Sequence, residues 1–164
     1  MAAGKTTVGQ ALAKRLGLSF VDLDNEIVKW DGRQISEIIE TDGEAQFRKI
    51  ETAVLKNILR EPITCVIALG GGTWSVAENR KLLQDCDAYV VWLDAPFEVC
   101  WSRISVTDNS RPLAASRSVA EELYRERRAA YQLANGRIEI EQSLTATQCA
   151  EAISALLLQK EWHL

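Results

Sequence analysis

Apolar positions along the chain change their spacing repeatedly, and each change marks an element. Val8, Leu12 and Leu16 recur at helical spacing, with Lys14 and Arg15 near the end of that helix. Leu18-Ser19-Phe20-Val21-Asp22 reads as a short strand, and Asp24 can cap a helix from Asn25 to Trp30. Ile35, Ile38 and Ile39 mark a short helix ending near Asp42-Gly43, and Phe47, Ile50, Val54 and Ile58 form the stripe of a longer one. Cys65-Val66-Ile67-Ala68-Leu69 is a continuous apolar run ending in Gly70-Gly71-Gly72, as expected of a buried parallel strand. Val76 to Gln84 is helical, Ala88 to Leu93 reads as a second buried strand, and Pro96 opens a helix to about Ile104. Periodicity stops from Ser105 to Arg117. It returns as a helix from Ser118 to about Leu133, a strand over Arg137-Ile138-Glu139-Ile140 and a last amphipathic helix from Thr145 to Gln159. Strands alternating with helices predict an α/β layered fold with a mostly parallel sheet. In such sheets ligands bind beyond the carboxyl ends of the strands.

The 164 residues suit a single domain, with no internal repeat or linker. A net charge of −4 argues against a general nucleic-acid binder, yet leaves room for an anionic small substrate held by a few gathered arginines. Cys65, Cys86, Cys100 and Cys149 are widely spaced and read as reduced, mostly buried thiols. No apolar run approaches membrane-spanning length and none reads as a signal peptide, so no membrane partner and a cytoplasmic location are expected. The single histidine, His163, is next to last, which disfavours a histidine base or metal ligand.

The chemistry begins at Met1-Ala2-Ala3-Gly4-Lys5-Thr6-Thr7, where a glycine, a lysine and a hydroxyl residue open the first helix. Such a start presents unpaired N–H groups and a positive dipole end to an anion. Gly4 lets backbone approach a phosphate, Lys5 can reach its outer oxygens, and Thr6 can offer a hydroxyl to Mg²⁺. The full phosphate-loop pattern would place its first glycine two residues ahead of Met1, after a hydrophobic strand. Read alone, the tripeptide is more often an ordinary helix start. Asp22 and Asp24, two apart, can face one site, one suited to hydrated Mg²⁺ and the other to an acceptor hydroxyl. A plain helix cap at Asp24 is the competing explanation. The three glycines after a buried strand let backbone lie against a ligand. Arg48 is as well explained by a surface pair with Glu44. Among Arg125, Arg127 and Arg128, a solvated basic face fits the outer two better than Arg127. Arg111, in the polar loop before Pro112, can swing onto a phosphate.

Together these residues are more specific than any one of them. The sequence resembles the shikimate kinase family from Met1 to about Leu158, through Gly4-Lys5-Thr6-Thr7, Asp22-Leu23-Asp24, Thr41-Asp42-Gly43-Glu44, Phe47-Arg48-Lys49-Ile50-Glu51, Ala68-Leu69-Gly70-Gly71-Gly72, Arg111-Pro112-Leu113, and Arg127 four before Tyr131. The resemblance implies a three-layer P-loop fold with a five-stranded parallel sheet of order 2-3-1-4-5, and ATP-dependent phosphorylation of the 3-hydroxyl of shikimate. It implies that Ala2, Ala3, Gly4, Lys5, Thr6 and Thr7 hold ATP phosphates, and that Thr6 and Asp22 serve Mg²⁺. Lys5, Asp24 and Arg111 would be catalytic. Asp24, Arg48, Gly70, Gly71, Gly72 and Arg127 would bind shikimate, the two arginines on its carboxylate. Arg103 is a candidate for stacking on adenine.

Residues 1–164 are then one domain with a lid at about 105–117, acting as a monomer. The domain is expected to be N-terminally incomplete, lacking the first strand of the family sheet. A misassigned start, a shortened chain and a true deletion all remain open as its origin. Trp74 is bulkier than the family pattern and can alter the pocket rim. A gluconate-type kinase and a non-catalytic protein derived from the kinase are the alternatives. The first should lack the combined Asp24, Arg48 and Arg127 set; the second need not keep Lys5, Asp24 and Arg111 together.

Overall fold

In the computed structural model, residues 2–61, 64–106, 116–141 and 143–159 are described. They form α1 (Lys5–Leu16), β1 (Ser19–Asp22), α2 (Leu23–Asp31), α3 (Ile35–Asp42), α4 (Glu44–Arg60), β2 (Cys65–Ala68), a single 3₁₀ turn (Thr73–Ser75), α5 (Ala77–Asp85), β3 (Val91–Asp94), α6 (Phe97–Val106), α7 (Arg117–Tyr131), β4 (Gly136–Glu139) and α8 (Ala146–Gln159). The order of helices and strands is the one that hydrophobic spacing predicts, and every strand pair is parallel.

β1 runs beside β2, from Ser19 opposite Cys65 to Asp22 opposite Ala68, and β3 runs beside β4, from Val91 opposite Gly136 to Asp94 opposite Glu139. Among the described residues these are two separate two-stranded sheets; the expectation was a parallel sheet of order 2-3-1-4-5 lacking its first strand. In the expected numbering the pairs are 2–3 and 4–5. The strand runs read as buried are accordingly half-buried except at their last residues, Ala68 and Asp94, because a strand with one neighbour keeps one edge open.

Period-two alternation sorts the strand side chains between two helical layers. Val66, Val91, Leu93 and Ile138 pack into a cluster with Ala3, Val8 and Leu12 of the amino-terminal segment and Cys149, Ala150 and Ile153 of α8. A second cluster joins Leu23, Ile27, Ile38, Phe47, Val54, Leu55, Trp74 and Leu83, so α2, α3, α4 and α5 share one core. Two expectations move at their edges. The cap of α2 is Asp22, whose carboxylate accepts from the Asp24 N–H at 3.1 Å, where Asp24 was read as the cap. β3 starts at Val91 because the Asn135 side chain takes the Val90 N–H at 2.9 Å, ahead of the ladder. Of the cysteines, Cys100 and Cys149 are buried, Cys65 is half-buried and Cys86 is exposed, and all are free thiols.

Candidate active site

The amino-terminal segment enters α1 through left-handed backbone at Ala2, φ 43°, and Gly4, φ 88°. For Ala2 this region is uncommon, and a turn of this kind aims successive N–H groups into one concavity. No side chain caps α1 and no acidic residue occupies its first turn, so its leading N–H groups keep their capacity for an anion. Arg103, from α6, lies alongside and donates to the Ala2 carbonyl at 3.1 Å. The loop thus has a guanidinium beside it.

β1 delivers the carboxylates. The Thr6 hydroxyl donates to Asp22 at 2.7 Å, and the other oxygen of the same carboxylate caps α2. Capping fixes the turn between strand and helix, and so places Asp24 one residue inside α2 on the same end of the sheet.

β2 ends in the three glycines, and their lack of side chains has a measurable cause. A Cβ on Gly70 would stand 2.8 Å from Thr73 Oγ1, 2.9 Å from Glu51 Oε1 and 3.0 Å from Asp24 Oδ1. A Cβ on Gly72 would stand 2.3 Å from Arg48 Nη2. The glycine turn is therefore the floor on which Asp24, Glu51 and Arg48 converge. Arg48 donates to Glu51 at 2.9 Å and to Glu44 at 2.9 Å, while Glu51, with no exposed surface, also accepts from Thr73 at 2.6 Å. Burial opposes the Arg48 charge, but the two carboxylates outweigh it and its pKa is raised. The surface pair with Glu44 exists, and is half of the arrangement.

α7 closes the other side. Tyr131 donates its phenol to the Gly71 carbonyl. Burial pushes its pKa up, with the nearby Arg127 and Arg48 pulling the other way. Arg127 lines a cavity of about 20 Å³ with Trp92, Cys100, Tyr124 and Tyr131. The cluster on α7 divides more finely than the sequence suggested. Arg125 is a surface pair with Glu121, but Arg128 is only a third exposed and donates to Asp94 at 2.7 Å.

Arg111 and most of the expected lid lie outside the described residues, as does the histidine. Glu51 and Thr73 had been given no role. One signal could have marked Glu51: a carboxylate interrupts the apolar stripe between Phe47 and Val54. Thr73 follows three glycines and carries no such mark.

A left-handed backbone turn opening α1, a threonine–aspartate pair at its edge and a glycine turn lined by acid and guanidinium match the makeup of a small P-loop phosphotransferase. The family described as shikimate kinase matches residues 1–157. The chain is 38% identical over 170 residues to a shikimate kinase of Ruegeria pomeroyi, covering 98% of this chain and 83% of that protein. With one of Persephonella marina it shares 36% over 141 residues, 86% of this chain and 85% of that protein. Among solved structures, the shikimate kinase of Acinetobacter baumannii in complex with shikimate superposes with a TM-score of 0.91 at 36% identity, over 99% of this chain and 90% of that one. The Aquifex aeolicus enzyme gives 0.82 at 32%, over 96% and 92%. This chain belongs to the shikimate kinase family. Among its described residues, no helix is long and apolar enough to cross a membrane.

Proposed function

We propose that the chain transfers the terminal phosphoryl group of ATP to the 3-hydroxyl of shikimate, giving shikimate 3-phosphate and ADP. The observation that carries this reading is the convergence of Asp24 and Arg48 on the glycine floor, just beyond the end of β2, whose last residue pairs with the Asp22 that Thr6 bonds. The backbone from Ala2 to Thr7 holds the phosphates, with Lys5 on the transferring group and Arg103 beside the nucleotide. The acceptor oxygen attacks phosphorus, the bond to the ADP oxygen breaks, and the hydroxyl proton passes to Asp24. Little covalent chemistry is asked of the protein in such a transfer; positioning and charge do most of it. A fork-shaped guanidinium matches a carboxylate edge to edge, which suits Arg48 and Arg127 to the acid group of shikimate.

Thr6 and Asp22 fit Mg²⁺. Their oxygens are 2.7 Å apart at the start of α1, and this ion takes one or two protein oxygens while keeping several waters. When bound, Mg²⁺ neutralises charge developing on the phosphate oxygens. The decisive assay offers shikimate and gluconate separately with MgATP. Shikimate 3-phosphate is the expected product, and turnover of gluconate alone would overturn the proposal.

A further inference from the structure

The two arginines proposed for the acceptor carboxylate stand on different helices, Arg48 on α4 and Arg127 on α7, and the glycine turn lies between them. On its α4 side the turn is tied by Thr73 to Glu51 at 2.6 Å, and by the Arg48 guanidinium packed over Gly72. On its α7 side it is tied by Tyr131 to the Gly71 carbonyl and by the Trp74 indole, whose Nε1–H donates to the Ala130 carbonyl at 2.9 Å. Neighbouring residues of one turn thus reach in opposite directions, Thr73 to the first arginine's helix and Trp74 to the second's. Trp74 is only 5% exposed, and its ring sits in the core cluster against which Ala130 and Tyr131 pack. Arg80 donates to the carbonyls of both Trp74 and Ser75, at 2.8 and 2.9 Å, which fixes the turn from below. Ala130 and Tyr131 lie three and four residues beyond Arg127, one helical turn along the same face. Holding that turn holds the guanidinium.

We propose that Trp74 is a positioning residue that sets the span of the carboxylate clamp, by fastening the end of α7 to the glycine turn over which Arg48 packs. This rests on the reading that Arg48 and Arg127 take the acceptor's carboxylate. Trp74 touches no reacting atom. Its contribution appears in acceptor affinity and leaves the phosphoryl transfer step alone.

The test compares steady-state kinetics of the full chain with three replacements. In the first, Trp74 is replaced by benzothienylalanine, which keeps the bicyclic shape and loses only the N–H. The second is Trp74→Phe, and the third is Tyr131→Phe, which removes the companion bond and nothing else. Losing one such hydrogen bond should raise the KM for shikimate about fivefold, with the KM for ATP and kcat within about twofold of the parent. The effect should disappear for an analogue carrying a hydroxymethyl group in place of the carboxylate. A merely structural role would lower kcat and thermal stability together and would not distinguish the two acceptors. An unchanged KM for shikimate in the benzothienylalanine protein overturns the proposal, as does an equal rise for the analogue. Arg127→Ala is measured alongside. If it raises the KM and the Trp74 variants do not, only the positioning role fails. If it too has no effect, the clamp reading fails and the positioning role with it.

Discussion

Asp22 closes β1 and Asp94 closes β3, each at the carboxyl end of a parallel strand with one neighbour, yet the surroundings of the two carboxylates differ. Asp94 is 7% exposed and takes Arg128 at 2.7 Å on one oxygen and at 3.3 Å on the other, which also takes Arg137 at 2.9 and 2.7 Å. The two guanidiniums lie 4.8 and 5.1 Å from the Trp92 ring centre, so charge and aromatic surface together close that strand end. Asp22 accepts from one hydroxyl and one backbone N–H and meets no arginine among the described residues. A carboxylate saturated by two fixed cations has no charge left to offer a ligand. One held only by neutral donors is oriented and still available. Strand ends in an α/β fold are where ligands bind, and on the function proposed above the partners of the carboxylate distinguish the end that is used.

The prediction with the largest effect on stability extends this to the arginines. Arg48→Ala leaves the Glu51 carboxylate buried with only Thr73 to serve it. Stranding a buried charge costs about 3–5 kcal/mol. Arg127 has no carboxylate partner among the described residues, so Arg127→Ala should leave stability nearly unchanged. It should weaken shikimate by the value of a charged hydrogen bond, about 1.5–3 kcal/mol. Urea denaturation and shikimate calorimetry on both variants make the check. Equal stability of the two would mean that Glu51 is not held in place by Arg48.

Next in size is Asp94→Ala. Four charge-assisted contacts are lost, but Arg137 is half exposed and Arg128 a third, so both can turn to water. That discounts the loss to about 3 kcal/mol, the lower end for a broken buried pair. Turnover per folded molecule should survive. A collapse of kcat with stability intact would transfer the functional role from β1 to β3.

Asp22→Ala inverts the pattern. Its structural contribution is a helix cap, worth about 1 kcal/mol. Turnover with MgATP should nevertheless fall steeply, because the Thr6 hydroxyl loses the oxygen that orients it. Retained activity at saturating Mg²⁺ would show that the pair at 2.7 Å is structural only.

What the sequence disclosed follows the same division. Elements with long periodic stripes were readable because burial imposes the period locally, α4 from its stripe and α8 to within a residue of its ends. The start of β3 was not, since Asn135 intercepts the Val90 N–H from far along the chain. Arg48 beside Glu44 looked like a surface pair because both are on one helix. Its second partner, Glu51, becomes significant only once Thr73 arrives from the glycine turn. Arg128 looked solvated for the same reason, with Asp94 distant in sequence. Glycines that the backbone requires, such as Gly4 at φ 88° and Gly72 beneath Arg48, stood out by residue type; charges satisfied across elements did not.

The smallest effect is expected at a third set of aspartates, away from both strand ends. Arg33 donates to Asp31 at 2.6 Å and to Asp42 at 2.8 Å, tying the end of α2 to the end of α3. These bonds hold both carboxyl groups below the usual carboxylate range. In the unfolded chain both titrate near the ordinary value of about 4. Below that value the unfolded chain binds more protons than the folded one, so stability falls as pH drops through the folded pKa values. The contribution is fully present above about pH 4 and lost below it, and at this exposed knot salt screens it. Thermal melts of the parent and Arg33→Gln at low ionic strength should differ slightly at pH 6 and converge as pH falls below about 4, with shikimate turnover the same in both. A difference that grows on acidification would reverse the sign, and would mean that the knot holds its carboxyl groups in their protonated form.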